Sequence, residues 1–229
     1  MKNNILFITG TDTNIGKTYI GAGLLRAFKK KSLSTVATKP IASDCFFEKG
    51  KLFNKDALML KQESSIQLDY DAINPFTFKL PIAAHLAAQA ARQPLTLNLL
   101  QQKMMPALQT TADIHVMEGI GGWHVLLNEH ETFADFISHH QCLIILVVGI
   151  RLGCINHALL SARAILQDKG RLIGWIGNCI DPEMNYCNEN IETLQHALPV
   201  PCFGVVKHNE APENVLDVKM ILDAYFNFV

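Results

Sequence analysis

The stretch with the clearest chemical meaning is Gly10–Thr18, GTDTNIGKT, which directly follows the apolar run Ile5–Ile8. A loop that ends in Gly-Lys-Thr between a strand and a helix aims several backbone N–H groups and the positive end of the helix dipole at one position. Such a loop binds the phosphates of a nucleotide. Lys17 would reach the terminal phosphates, and the Thr18 hydroxyl would bind Mg²⁺.

The loop departs from the general phosphate-loop pattern at Thr11. The pattern of Gly, four residues and Gly-Lys-Ser/Thr requires Gly at position 11, whereas this chain has its Gly one place earlier, at Gly10. Judged by the motif alone, a chance Gly-Lys-Thr sequence in a surface turn is an equally good explanation. A surface turn has no need of an apolar strand before it or of the helical pattern Tyr19–Phe28 after it, so the context favours a functional loop.

Polar side chains follow two other predicted strands. Lys39 and Ser43 come after the short strand 34–38, and Glu118 ends the strand 113–118. Open α/β sheets bind ligands at the carboxyl ends of their strands, which makes all three candidate site residues. Glu118 stands where the group that holds Mg²⁺ or its water is usually found. For Lys39, an exposed lysine before a turn proline is the alternative.

Two predicted helix starts add further candidates. Asn54 is placed to cap a short helix, with Asp56 in its first turn. Such an Asp is usually a partner for the helix dipole, but a phosphate–Mg²⁺ site also needs a hard carboxylate. The segment 151–158 turns into a helix directly after the apolar run 142–149, and its free N–H groups could receive a carboxylate.

Strands and helices alternate through most of the chain, which predicts an α/β fold: a doubly wound, mainly parallel sheet with helices on both faces. The run 142–149 is apolar without alternation, as expected of a central strand. We expect a mobile loop at Cys45–Leu52, a helix over Pro182–Ala197 and a C-terminal helix after Pro212. Since no linker divides the 229 residues, one domain over 1–229 is expected.

Composition limits the possible partners. The net charge is −1, with 20 Lys plus Arg against 21 Asp plus Glu, which provides no field to attract nucleic acid or an acidic membrane. The six cysteines are scattered, without a Cys-x-x-Cys pair, and are expected to be reduced packing residues. The N-terminal apolar run is too short for a signal sequence, so we expect a cytoplasmic protein that acts on small molecules.

The ordered set of motifs resembles the dethiobiotin synthetase family almost end to end. The motifs are GTDTxxGKT at 10–18, KPIAS at 39–43, DAL at 56–58, NPFTF at 74–78, EGxGGW at 118–123, FAD at 133–135, GCINHA at 153–158, and GW at 174–175 with Asn178. Many proteins share a phosphate loop, but the whole ordered set is specific. Thr11, which spoils the general pattern, is what this family has.

The resemblance implies a P-loop NTPase-like fold and a homodimer with its site at the interface. The enzyme would use ATP, Mg²⁺ and CO₂ to close a ureido ring on 7,8-diaminopelargonate, giving dethiobiotin, ADP and phosphate. One amine takes up CO₂ as a carbamate, and the carbamate attacks the γ-phosphate to form a carbamic-phosphoric anhydride. The second amine then displaces phosphate and closes the ring.

The resemblance also implies a role for each matching residue. The catalytic residues are Lys17, Lys39 and Thr11, and Lys39 holds the charge of the carbamate. The metal ligands are Thr18, Asp56 and Glu118. The nucleotide is bound by Asp12, Thr13, Asn14, Ile15, Gly16, Lys17, Thr18, Asn178 and Glu213. The substrate is bound by Thr11, Lys39, Ser43 and, for its tail carboxylate, by the helix start Gly153, Cys154, Ile155 and Asn156.

The chain departs from the family pattern in places. Asn14 stands where many members have Glu, and Asn190 stands where an aromatic residue is often found. The stretch 204–213 lacks a proline that commonly follows the last strand, which affects the placing of Glu213. These departures concern the substrate tail and the adenine pocket.

Two other functions compete with this interpretation. A P-loop switch ATPase of the partitioning type shares the fold, but such proteins carry a second Lys early in the loop, which this chain lacks. The near-neutral charge also offers DNA no surface. A binding module that has lost catalysis is the second alternative, and the five retained polar residues of the site argue against it: Lys17, Thr18, Lys39, Asp56 and Glu118.

Overall fold

The computed structural model describes residues 5–227. Its strands are β1 (Ile5–Gly10), β2 (Thr35–Thr38), β3 (Ile41–Ala42), β4 (Phe46–Glu48), β5 (Lys51–Phe53), β6 (Phe76–Thr77), β7 (Ile114–Glu118), β8 (Leu143–Ile150), β9 (Arg171–Cys179) and β10 (Cys202–Val206). Its helices are α1 (Lys17–Lys30), α2 (Lys55–Glu63), α3 (Tyr70–Ile73), α4 (Ala84–Ala90), α5 (Leu97–Leu108), α6 (Phe133–His139), α7 (Cys154–Gln167), α8 (Cys187–Ala197), α9 (Pro212–Val215) and α10 (Val218–Phe226).

A six-stranded sheet in the order β10-β9-β8-β1-β7-β2 forms the centre of the fold, and all of its strand pairs are parallel. The predicted parallel α/β architecture is therefore confirmed. From β1 the chain runs first to β2 and β7 on one side and later to β8, β9 and β10 on the other. The loop after β1 lies at this reversal of direction, which is where such sheets bind ligands.

Both faces of the sheet are covered, because its side chains alternate between two hydrophobic clusters. Along β1, Ile5 and Phe7 belong to the cluster that also contains residues of α4 to α8, whereas Leu6 and Ile8 belong to the cluster under α1 and α10. All eight residues of β8 are buried. A strand buried on both faces needs apolar side chains at every position, which explains the unbroken apolar run.

The expectation of a mobile loop at Cys45–Leu52 was wrong. β4 and β5 form an antiparallel hairpin there, with Phe46 opposite Phe53 and the two rings 6.2 Å apart. Lys49 and Gly50 form the turn with φ of 48° and 86°. Two consecutive positive φ values match the turn that joins twisted strands in a two-residue hairpin.

Two helix boundaries also differ from expectation. α8 begins at Cys187 instead of Pro182, directly after Tyr186, which has a left-handed φ of 55°. The expected C-terminal helix is divided into α9 and α10, and the Asp217 side chain caps α10 by accepting from the Met220 N–H at 2.9 Å. Across residues 5–227 the helices are all too short or too polar to cross a membrane.

Candidate functional site

The phosphate loop adopts a backbone that requires glycine at its end. Gly16 has φ 86° and caps α1, which Lys17 begins. A Cβ on Gly16 would lie 2.2 Å from Nδ2 of Asn178, at the end of β9. Asn178 donates to the Ile15 carbonyl at 2.7 Å, so the last turn of the loop is held by the neighbouring strand end.

The first half of the loop is attached to the carboxyl end of β8. The Thr11 N–H donates to the Val147 carbonyl at 3.0 Å, and the Thr11 hydroxyl accepts from the Gly149 N–H at 3.4 Å. Just beyond these contacts, Arg151 donates to the Asp12 carboxylate. Three successive contacts therefore fix the loop before any ligand binds.

A buried cluster of charged groups lies beside the loop. The carboxylate of Glu118 accepts from Lys39 Nζ at 2.5 Å and from the Thr18 hydroxyl at 2.9 Å, both at Oε1. Lys39 Nζ also lies 3.2 Å from the Asp56 carboxylate. β2 and β7 pair with Thr38 opposite Met117. Lys39 directly follows Thr38 and Glu118 directly follows Met117, so the two charged side chains meet at the same edge of the sheet.

Burial and the neighbouring carboxylates shift the pKa values of the two lysines in opposite directions. Burial lowers the pKa of Lys39, but the carboxylates of Glu118 and Asp56 outweigh it, so the pKa is raised and Lys39 stays a cation. For Lys17, burial is the largest influence and lowers the pKa to about 8, against the upward pull of Glu118. Lys17 Nζ donates to the Asp12 carbonyl at 2.7 Å.

These groups face a cavity of about 650 Å³. The residues that line it are Thr13, Asn14, Gly16, Lys17, Thr18, Tyr19, Lys39, Ser43, Asp44, Cys45, Phe46, Asn54, Lys55, Asp56, Met59, Glu118, Ile120 and Gly121. The structure thus brings five residues of the phosphate loop, Lys39, Ser43 and both predicted carboxylates to one place. The predicted site residues that are not among the lining residues include Thr11, Asp12, Ile15 and Asn178. The volume is that of a small-molecule site.

Glu213 lies elsewhere. Its carboxylate accepts from Arg26 at 2.7 Å and 2.9 Å through two parallel bonds, and Arg26 also donates to Glu63 at 3.2 Å. This pair ties the start of α9 to α1, and Glu213 does not line the cavity. The expectation that Glu213 approaches the nucleoside finds no support in this arrangement.

The helix start Gly153–Asn156 is also outside the set of residues that line this cavity. Gly153 has φ 93° and caps α7, and the Cys154 N–H is already bonded to the Arg151 carbonyl at 3.0 Å. The preceding residue, Leu152, is 91% exposed. Gly153 and Asn156 are exposed, whereas Cys154 is buried and Ile155 is half-buried.

Among the residues at or beside the site that the sequence analysis did not assign to it are Arg151, Asn54 and Phe46. Arg151 could have been found by the same strand-end argument that found Glu118, since it directly follows β8. Asn54 was predicted only as a cap, which it is, but its Nδ2 also donates to the Ser43 carbonyl at 3.1 Å. Phe46 had no signal, because the hairpin that carries it was not predicted.

The fold and the site together define a phosphate-loop nucleotide-binding protein of the α/β class. A family model described as an AAA domain matches residues 4–215. ATP-dependent dethiobiotin synthetase BioD of Pseudomonas aeruginosa (strain UCBPP-PA14) is 47% identical over 204 residues, which are 89% of this chain and 90% of the relative. The protein of that name from Cellvibrio japonicus (strain Ueda107) is 40% identical over 98% of this chain and 100% of its own length. This chain belongs to the dethiobiotin synthetase family.

Solved structures resemble the chain in fold. The MinD cell division protein of Aquifex aeolicus matches with a TM-score of 0.54 at 12% identity, over 98% of this chain and 95% of that one. The signal recognition particle receptor FtsY from Elizabethkingia anophelis, in complex with GDP, matches with a TM-score of 0.52 at 11% identity, over 99% of this chain and 64% of that one. At these identities the likeness shows the fold alone.

Proposed function

We propose that this chain carboxylates 7,8-diaminopelargonate with CO₂ and closes the ring to dethiobiotin at the expense of ATP. One relative that bears the name of this activity is 48% identical over 87% of the chain. The observation that carries the proposal is the buried Lys39–Glu118 pair, 2.5 Å apart, in the same cavity as the phosphate loop. A cation fixed beside a phosphate site suits an anionic acceptor of the phosphoryl group.

The same cavity fits Mg²⁺ held by Thr18, Asp56 and Glu118. Glu118 Oε2 is buried and has no hydrogen-bond partner among the described residues, which is a costly state for a carboxylate oxygen. Mg²⁺ prefers hard oxygen ligands and commonly takes one or two carboxylates, the remaining ligands being phosphate oxygens and water. When bound, the ion would neutralise charge on the β- and γ-phosphates of ATP.

Each reaction step can be assigned to residues of the chain. A carbamate formed on one amine would pair with Lys39 and accept from the hydroxyl of Ser43. Lys17 and the loop N–H groups would bind the phosphates and stabilise the charge that develops as the carbamate oxygen attacks the γ-phosphorus. Thr11 would orient the acceptor, because it lies at the end of the loop nearest β8. The second amine then displaces phosphate.

The nucleoside would lie along Asn178, while Asp12 to Thr18 surround the phosphates. The Asn178 amide already occupies the strand end next to Gly16, and it could exchange the Ile15 carbonyl for the adenine edge. A buried amide that changes partners in this way keeps its hydrogen bonds satisfied in both states.

We further propose a homodimer in which Gly153–Asn156 of one copy binds the tail carboxylate of substrate held by the other. Within one chain this helix start does not line the cavity, and its neighbour Leu152 is 91% exposed. A helix N-terminus is a ready anion site, and an exposed leucine beside it suits a protein interface. One domain over 1–229 and a cytoplasmic location complete the proposal.

ATP turnover with and without the two other substrates tests the proposed function. We expect ADP release to require both diaminopelargonate and bicarbonate, with dethiobiotin formed in equal amount. The partitioning-type switch ATPase predicts turnover that ignores both compounds. The likeness to MinD is a likeness of fold, and such turnover would be needed to favour that alternative.

A further inference from the structure

Two cysteines lie next to each other beside the nucleotide end of the sheet. Cys179 is the last residue of β9 and Cys187 is the first residue of α8, and their Sγ atoms are 3.8 Å apart. Both are free thiols. The segment 180–186 connects them, so a bond between the two sulfurs would close a short loop.

A disulfide is within reach of small movements. The S–S bond is about 2.05 Å long, so the sulfurs must approach by about 1.8 Å. Cys179 is held by its place in β9 opposite Ile150, whereas α8 buries a single side chain, Leu194. We therefore expect the first turn of α8 to move more readily than the end of β9.

The site is coupled to the phosphate loop through the sheet. Asn178, the residue before Cys179, donates to the Ile15 carbonyl. Successive residues of a strand point to opposite faces, and here Cys179 belongs to the cluster under α7 and α8 while Ile15 belongs to the one under α1. Whatever part of the approach Cys179 makes toward α8 therefore draws the strand end away from the loop.

We propose that Cys179 and Cys187 form a redox-modification site, oxidised by hydrogen peroxide to an intramolecular disulfide that weakens nucleotide binding and is reversed by thiols. The sulfur of Cys187 attacks the peroxide, an S–O bond forms as the O–O bond breaks, and water leaves. The sulfur of Cys179 then attacks this sulfenic acid, the S–S bond forms as the S–O bond breaks, and a second water leaves. Two thiols lose two electrons to one peroxide.

The order of attack follows from the surroundings of the two thiols. Cys187 is half-buried, whereas burial raises the pKa of Cys179 to about 12, so Cys179 is the poorer first nucleophile. It reacts second, on a sulfur already beside it. Disulfides inside cells are usually transient and regulatory, which agrees with two neighbouring cysteines that are free thiols in this structure.

Peptide mapping of the oxidised wild-type protein tests the modification. Purified protein is treated with hydrogen peroxide, its remaining thiols are alkylated, and the digest is analysed by mass spectrometry before and after dithiothreitol. With alkylation carried out in denaturant, we expect free thiols to fall from six to four and a dithiothreitol-sensitive link between the peptides of Cys179 and Cys187. A sulfinic acid on Cys187 with Cys179 free, or links between two chains, would overturn the proposal.

Matched serine variants test the effect on the nucleotide, which rests on the proposed role of Asn178. We expect oxidation to weaken ATP binding by about threefold or more in the wild type and in Cys202→Ser, and to leave Cys187→Ser unchanged. Cys202 is a suitable control because it is also half-buried and contacts the Gly204 carbonyl instead of a thiol. A disulfide that forms without any change in ATP affinity would overturn the coupling, and the enzyme's activity in the reduced state is measured separately.

Discussion

The two anion sites proposed for this chain are built in opposite ways. The Lys39–Glu118 cluster is assembled from four segments of one chain, and the side chains of Lys39 and Glu118 are 6% and 1% exposed. The helix start Gly153–Asn156 uses backbone groups and stands next to the 91% exposed Leu152. The first site is proposed to be complete within one chain, and the second to need a second copy of the chain.

This difference indicates what each site is for. Fixed charges in a buried place need no reorganisation when charge develops, which is what phosphoryl transfer to a weak nucleophile demands. A helix N-terminus discriminates little and suits a carboxylate that must only be held. We therefore expect damage to the cluster to affect the reaction rate, and damage around the helix start to affect substrate affinity and assembly.

Glu118→Gln should have the largest effect. The substitution removes the charge that pairs with Lys39 and the oxygen proposed to bind Mg²⁺, while keeping the side chain's size. We expect kcat to fall by about 10²–10³-fold, as for the loss of other transition-state charges. Dethiobiotin formation over a range of Mg²⁺ concentrations measures this effect, with Asp56→Asn, at a 45% exposed side chain, as the milder comparison. Equal losses of kcat in Glu118→Gln and Asp56→Asn would contradict the expectation that the buried carboxylate contributes more to the reaction than the exposed one.

Leu152→Asp should impair the proposed function of the helix start without affecting nucleotide binding. A charge at this exposed leucine would disrupt the proposed dimer, so we expect a monomer on size-exclusion chromatography and a KM for diaminopelargonate raised about tenfold. ATP affinity should stay within about twofold. Leu86→Asp, at a leucine of α4 that is 46% exposed, is the control. A dimer with normal KM would remove the helix start from the substrate site.

Arg151→Ala tests the link between the two sites, because Arg151 lies directly before the helix start and donates to Asp12 of the phosphate loop. The pair is partly exposed, so we expect a moderate effect, with the KM for ATP raised about fivefold. Arg151→Lys should restore part of this loss. An Asp12→Asn, Arg151→Ala double variant that is no worse than the worse single one would confirm that the two side chains act as a pair.

The smallest effect concerns pH. Burial lowers the pKa of Lys17 to about 8, so its positive charge is present below that pH and is lost above it. ATP binding should therefore weaken as pH rises through about 8, by less than tenfold for each unit of pH, since ATP itself favours the charged form. Lys17→Arg, which keeps its charge, should show a flatter profile. Identical profiles for the two proteins would contradict this assignment.

The residues of the buried cluster could be predicted from the sequence, but the contacts between them could not. The strand-end argument identified Lys39 and Glu118 because it depends on chain order alone. Their hydrogen bond depends on the register of β2 against β7, which no local pattern encodes. The same limit applies to Glu213, whose partner Arg26 lies 187 positions away in the sequence. Local turn geometry was the other gap, as the hairpin carrying Phe46 shows.

The most direct measurement of the account is made on one preparation of Lys39→Ala, in which ATP binding and dethiobiotin formation are both determined. We assign Lys39 to the carbamate and Lys17 to the phosphates. For Lys39→Ala we therefore expect an ATP affinity within about threefold of the wild type and a rate of ring closure lower by at least about 10²-fold. Thermal unfolding of the same sample checks that removing a partner of buried Glu118 has not unfolded the protein. Normal dethiobiotin synthesis by the folded variant would contradict the role of Lys39 and of the cluster built around it.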